Sequence, residues 1–387
     1  MRRSTLAILL GFTLALAAVG AWLVANKIAQ TSADLSGQLM LPGLKARLND
    51  VTEVDVAGAE GRFTLKRVGA DHWVMAEKGD YPADFGKVQR LLLALADLRA
   101  IEPKTARPDR FHFIDVEDIG PGTRGLQLTV KGPDGSAFGD MIFGKPSSVM
   151  GAAKVPRFFV RPVGQPQSWE AEADVRLERD AAQWLERDLV VISPDRFRAA
   201  SVTIDGAAAR ISRAKPGDVF SLDGLDPGAE QVKAARLNAL SVAASYLALE
   251  DVQPADKAPA GTPLGRVSFE TFDGITLTLD LVSIDGQGWA RIDAAFDPVI
   301  AGESRLLDPA QDAGGQPVVR PAEDARAEAG AIAARTKGWL YRLDGTRVID
   351  LTPKRADLAE PKPAAPPAPE TPTEAAPTEA APVPPAQ

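Results

Sequence analysis

The stretch Gly139-Asp140-Met141-Ile142-Phe143-Gly144-Lys145 has the glycine and lysine spacing of a phosphate-binding loop. Such a loop needs a hydroxyl directly after the lysine to hold magnesium, and a flexible run of backbone amides to cradle the phosphates. Here Pro146 follows the lysine, Ser147 comes one position late and the middle is apolar, so the pattern predicts a strand ending in a turn. Only two histidines exist. His72 precedes Trp73 in a short strand-like run and reads as a turn or surface residue. His112 lies in Phe111-His112-Phe113 close to Asp115, Glu117 and Asp118, residue types that bind a hard cation, but the acids lack calcium-loop spacing and lead into Gly120-Pro121-Gly122. There is no Gly-x-Ser-x-Gly elbow and no His-Glu-x-x-His run. Glu250-Asp251 is the kind of carboxylate pair that any acidic surface carries. Trp73, Trp184, Trp289 and Trp339 stand beside apolar positions, where core packing outweighs carbohydrate stacking. The sequence therefore nominates no catalytic, cofactor-binding or metal-binding residue and no cofactor, and the reading is not an enzyme.

The elements that position these residues begin with residues 6–25, an apolar run preceded by Arg2 and Arg3 and followed by Lys27. At about 1.5 Å rise per residue the run matches a bilayer's hydrocarbon core, and it is longer than a signal-peptide core, so it reads as a retained transmembrane anchor. The Arg2-Arg3 pair belongs on the cytoplasmic side, which places the bulk of the chain in the periplasm as a single-pass protein of the inner membrane. A count of zero cysteines excludes disulfides, thiolate chemistry and lipoprotein processing, so burial alone must hold the fold. Net charge is -8 with the basic residues scattered among acids, which argues against nucleic acid as a partner.

The 387 residues suffice for two ordinary domains. Residues 51–56 alternate with period two and residues 62–67 do so again, with Gly58 and Gly61 as turn residues between them, and His72-Trp73-Val74-Met75 adds a third strand. Asp84 reads as the N-cap of a helix to about Leu98, with Phe85, Val88, Leu91, Leu92, Leu95 and Leu98 on one stripe. Residues 126–130 and 138–143 form a hairpin around Gly132-Pro133-Asp134-Gly135, residues 157–161 a further strand, and residues 177–189 a short helix carrying Trp184 and Leu185. The pattern then repeats. Placing Val202 under Val54 brings Arg210 under Arg62, a helix over residues 230–247 under the Asp84 helix, Asp273-Gly274 under Asp134-Gly135, and Trp339-Leu340-Tyr341-Arg342 under Phe158-Phe159-Val160-Arg161 after an insertion near residues 302–335. The expected organisation is an anchor (1–29), a tether (30–43), a first repeat (44–198), a second repeat (199–358) and a disordered tail rich in proline, alanine, glutamate and threonine (359–387). The expected fold class is α+β: two similar domains, each a mostly antiparallel sheet with a covering helix.

Taken together, the anchor, Leu41-Pro42-Gly43-Leu44, the hairpin ending near Trp73, Tyr81-Pro82-Ala83-Asp84 before a leucine-rich helix, Phe143-Gly144-Lys145 and Trp184-Leu185 resemble the bacterial family known as domain of unknown function 4340. The resemblance implies an anchored envelope protein, often encoded beside the parts of an ABC transporter of the gliding-motility type, and it supplies no active-site residues. The expected function is a non-enzymatic, membrane-anchored accessory or scaffold subunit whose partners are an ABC permease or its ATPase. Two other classes stay open. Exposed aromatics forming a groove would favour a module that binds envelope glycan or protein, and convergence of His112 with nearby carboxylates in a deep pocket would favour a hydrolase.

Overall fold

The computed structural model describes residues 37–147, 155–304, 315 and 318–362. The apolar run 6–25 and tail residues 363–387 lie outside the described residues, and among the described residues no helix is long and apolar enough to cross a membrane. The architecture is α+β, with antiparallel sheets and few helices.

Alternating apolar residues build the first sheet from β1 (Glu53–Gly58), β2 (Gly61–Arg67), β3 (Trp73–Met75) and β4 (Tyr81–Pro82), followed after a helix by β5 (Arg99–Pro103), β6 (Leu126–Lys131), β7 (Ala137–Pro146), β8 (Arg157–Pro162) and β9 (Trp169–Glu172). The helix is α1 (Phe85–Ala96); the Asp84 carboxylate accepts from the Lys87 amide at 3.0 Å as its N-cap, and Val88, Leu91, Leu92 and Leu95 are buried. After β10 (Asp188–Val191), the second sheet uses β11 (Phe197–Ile204), β12 (Ala207–Ser212) and β13 (Ser221–Leu222). Then come β14 (Glu230–Val232), α2 (Ala234–Ser245), β15 (Tyr246–Ala248), β16 (Asp251–Pro254), β17 (Thr262–Thr271), β18 (Ile275–Ile284) and β19 (Gln287–Phe296). The chain ends in α3 (Pro298–Ser304), α4 (Ala322–Thr336), β20 (Trp339–Arg342), α5 (Gly345–Leu351), α6 (Arg355–Leu358) and β21 (Ala359–Pro361).

The two large sheets read alike. The first is ordered β4-β3-β2-β1-β6-β7-β8-β9-β5 and the second β13-β12-β11-β17-β18-β19-β20-β16, so from β3 to β5 each strand of the first has its counterpart at the same place in the second. The Asp-Gly turns correspond as well: Gly135 and Gly274 both take the left-handed region, at φ 77° and 91°.

Register departs from the sequence expectation in two places. Around the two-residue turns, Gly58 faces Gly61 and Ile204 faces Ala207, which makes Val202 the counterpart of Val56 instead of Val54. A slip of two residues leaves the same side chains on the buried face, so alternation alone cannot detect it. The second departure concerns β20, which answers to β9 and not to β8. Trp339 faces Pro254 as Trp169 faces Pro103, and the α3–α4 insertion falls between the counterparts of β8 and β9.

Other boundaries also move. The helix expected over 177–189 is replaced by a 3-10 turn at Ala181–Trp184, capped by Asp180, and by β10, which pairs with β15. The β-branched pair Val190-Val191 suits that ladder, and the Trp184 indole donates to the Glu178 carbonyl at 3.0 Å, folding the chain back. The expected tether is docked from residue 37: the Gly37 amide donates to the Ala100 carbonyl at 2.7 Å and the Met40 amide to the Leu98 carbonyl at 2.8 Å, covering the β5 edge. The expected division at 198/199 falls inside β11, and the first residues of the expected tail form β21 against β14.

One continuous core joins the two sheets, running from Leu41 to Ala359. At the junction the Tyr81 ring meets Trp339 edge-on at 4.9 Å and Tyr341 at 6.0 Å, and Lys78 pairs with Asp251 at 2.5 Å. Burial pushes the Tyr81 phenol up to about 12.

Each sheet carries one long insertion pinned by an arginine. In the first, residues 104–125 link β5 to β6, and buried Arg161 donates to the Val116 carbonyl at 2.7 Å, pairs with Asp118 and stacks over the Phe111 ring. In the second, α4 lies on β19, and fully buried Arg196 binds Asp273 at 2.9 Å and both Glu328 oxygens at 2.9 and 2.8 Å. The Thr271 hydroxyl donates to Asp273 at 2.6 Å, completing the network.

Candidate functional site

The residues singled out by type and spacing are mostly engaged in packing. The phosphate-loop lookalike is strand β7, which continues through Lys145 to Pro146 without the expected turn, Pro146 facing Phe158. Its Gly144 is required by close approach: a Cβ there would stand 2.0 Å from the Ile114 carbonyl oxygen, where the 104–125 insertion crosses the strand. The late hydroxyl of Ser147 donates to Glu170 at 2.8 Å, and Lys104 reaches the same carboxylate at 2.7 Å. Burial pushes the Glu170 carboxyl up, but the bonds from Lys104 and Ser147 outweigh it and hold the group below the usual carboxylate range.

His112 and its acidic neighbours go to separate tasks. His112 is exposed, with its ring 4.0 Å from Phe113; Asp118 pairs with Arg161; Asp115 turns elsewhere. Among the described residues no three His, Asp or Glu side chains gather as metal ligands. His72 is exposed, and Asp251 of the carboxylate pair holds the inter-sheet bridge to Lys78. Trp73, Trp184 and Trp289 are buried, and Trp339 packs against the core from a half-buried position at the junction.

A cleft of about 780 Å³ does collect charged side chains, at the end of the first sheet where the β1–β2 turn, the start of β6 and the end of β7 come together. Its floor is Val56, Phe63, Met75 and Leu126. Around it stand five cations, Arg62, Lys78, Arg124, Lys145 and Arg179, and four carboxylates, Glu60, Glu77, Asp115 and Asp180. Several are already engaged: Lys78 with Asp251, Arg179 with the Arg124 and Gly125 carbonyls, Glu77 with the Thr64 amide at 2.8 Å, and Asp180 with the Ala182 amide at 2.9 Å. Among the described residues, the side chains of Arg62, Arg124 and Lys145 are exposed without a hydrogen-bond or ionic partner, and Glu60 and Asp115 have none either. Asp115 also holds a left-handed backbone, at φ 56°. Unlike Asp205 and Asp285, which take the same region beside a turn glycine, it has no glycine neighbour.

The second sheet supplies the comparison. Its equivalent end is a space of only about 170 Å³ lined by Val202, Ile204, Asp205, Ala207, Ala208 and Ala209, the counterparts of Val56, Gly58, Ala59, Gly61, Arg62 and Phe63. Pro353, Lys354 and Arg355 close it, and Arg355 is committed to the Asp223 and Gly224 carbonyls. Following register outward from Val56 and Val202, Arg62 answers to Ala208, Lys145 to Ser283 and, by count, Arg124 to Pro263. The same strands therefore form without any of the three free cations.

Sequence reasoning had named Lys145 and Asp115 but passed over Arg62 and Arg124. Charge present in one copy and absent in the other is the signal that finds them. The two-residue slip hid it by setting Arg62 under Arg210, whose true counterpart is Thr64.

Comparison with known proteins gives a family match. A family model described as a domain of unknown function (DUF4340) covers residues 73–262, from the start of β3 to the first residue of β17, and so spans the junction of the two sheets. It supports the family resemblance drawn from the sequence. No curated protein matches the chain.

Proposed function

We propose, taking the match to that family as the premise, that the chain is a non-enzymatic accessory or scaffold subunit of an ABC-type transport assembly, anchored through residues 6–25 with its folded part in the periplasm. The observation that carries this reading is the welding of two like sheets into one body by a shared core, with Tyr81 meeting Trp339 and Tyr341 edge-on at the seam. A body of this kind offers broad fixed surfaces for holding other proteins, and an apolar run without an ionisable residue has no transport path of its own. The side chains nearest to chemistry support the same reading, because Ser147, Glu170, Asp118 and Asp251 are consumed by structural bonds. A second reading, an envelope-binding module, is favoured by the open cleft of the first sheet and is compatible with the first.

Extraction of the full chain in gentle detergent tests the scaffold. The expected result is co-recovery with an ABC permease or its ATPase, dependent on the anchor or the sheets, and unchanged by His112→Ala or by removal of residues 363–387. Recovery of the chain alone while the permease stays assembled, together with loss of function in His112→Ala, would overturn it.

A further inference from the structure

We infer that the cleft at the end of the first sheet is a ligand site for a small amphiphile carrying one oxyanion, a phosphate or a carboxylate, and a hydrogen-bond donor such as a hydroxyl or amine. This deepens the binding side of the proposed function and rests on the chain acting by association and not by catalysis.

Three observations carry it. The first is the internal control. Sheet order and strand register are shared by the two halves, yet Arg62 and Lys145 of the first are Ala208 and Ser283 in the second. The fold does not need these cations, so folding gives no reason for three unpaired ones to border the same space.

The second is what is left after internal bonds are made. Lys78, Arg179, Glu77 and Asp180 are taken, which leaves Arg62, Arg124 and Lys145 against Glu60 and Asp115. Guanidinium groups present planar forks that match a carboxylate or phosphate, and an ammonium adds a point charge. The half-buried Asp115 carboxylate, held at a left-handed position where the insertion crosses β7, accepts only. Its presence disfavours a polyanion and selects a ligand that brings a donor alongside its negative charge.

The third is size and floor. About 780 Å³ falls within the range of small-molecule sites, and above the buried base of Val56, Phe63, Met75 and Leu126 the exposed Ala59 and Pro146 and the half-buried Ala181 give the lining apolar patches for an acyl or alkyl portion. The second sheet's counterpart is filled by its own residues 353–355 down to about 170 Å³ and cannot take the same guest.

The test uses the full chain with dodecyl phosphate below its micelle concentration, dodecanoate and inorganic phosphate as probes, read by calorimetry at low and high salt. Dodecyl phosphate, which keeps one P–OH donor in its singly ionised form, should bind one per chain, dodecanoate, which brings no donor to Asp115, should bind more weakly, inorganic phosphate much more weakly, and salt should weaken all three. Arg62→Ala combined with Lys145→Ser, which installs the second sheet's own residues, should weaken binding by about tenfold or more with an unchanged melting temperature. Lys354→Ala, in the filled counterpart, should leave binding as it was. No binding of either amphiphile, or binding unchanged in the double variant, or binding lost in Lys354→Ala, would overturn the site. The two proposals separate in the same preparations. Co-recovery with the permease in a chain that binds neither amphiphile leaves the scaffold standing without the site, and binding without co-recovery leaves the site standing without the scaffold.

Discussion

The two sheets share a strand order but not a surface. In the first, the end beyond the β1–β2 turn is open, charged and crossed by the 104–125 insertion; in the second, the matching end is lined by alanines and closed by residues 353–355. The insertions sit differently too, between β5 and β6 in one half and between β19 and β20 in the other. A duplicated framework thus keeps what folding requires, the alternating strands, the Asp-Gly turn and the covering helix, and varies what folding leaves free. Where the halves differ without cost to the strands, a role other than stability is the economical explanation.

Perturbing the pinned insertions should produce the largest difference between the halves. Arg196→Ala strips a fully buried guanidinium from Asp273 and leaves that carboxylate without its counter-charge, so equilibrium unfolding should show a loss of about 3–5 kcal/mol. Arg161→Ala gives up carbonyl bonds and a pairing with an exposed Asp118, and should cost about 1–3 kcal/mol. Equal losses would mean that the two insertions are held alike.

Core truncation should blur the comparison instead of sharpening it. Leu95→Ala in α1 and Leu240→Ala in α2 remove buried leucines from corresponding helices, and each should cost about 2–5 kcal/mol in denaturant titration. If one were neutral, that helix would not be covering its sheet.

Alkali tests the seam between the halves. With the Tyr81 phenol raised to about 12 by burial, the unfolded chain gives up that proton near its ordinary 10 while the folded one keeps it, so the unfolded state binds fewer protons and stability falls as pH rises from 10 to 12. The Tyr81 share of the loss should reach roughly 2–3 kcal/mol by the upper end, its stability being complete below pH 10, and since burial pushes the neighbouring Tyr341 phenol up as well, Tyr81→Phe should remove about half of the slope. A slope unchanged in that variant would place the alkaline sensitivity elsewhere.

The smallest effect separates the helix starts. Asp84→Ala deletes a side-chain cap and should cost about 1 kcal/mol, whereas α2 begins at Lys233 with no side-chain cap, so Lys233→Ala should stay within about 0.5 kcal/mol in the same titration.

Much of this architecture was legible in the sequence because period-two and helical spacing are set by burial: β1, β2, β6, β7, the Asp84 cap and the α1 stripe all follow from apolar positions. Register was not, since a two-residue slip conserves the buried face, and only the turn geometry at Gly58 and Ile204 fixes it. Nor was the end of the repeat, where Trp339 matches Trp169 through pairing with Pro254 and Pro103, contacts between residues far apart in the chain. The lookalike at Gly139 to Lys145 is a strand, as its apolar middle predicts, yet its glycine has a packing cause and its lysine a place on the cleft that no local spacing reveals. Arg62 and Arg124 become visible only when the two copies are laid over each other in true register.

Hydrogen exchange of the full chain with and without dodecyl phosphate tests most directly whether the halves have parted in function while keeping one fold. The account predicts added protection at residues 58–62 and at Lys145, with residues 204–208 and Ser283 unchanged. Protection at both ends, at the second alone, or at neither would contradict it.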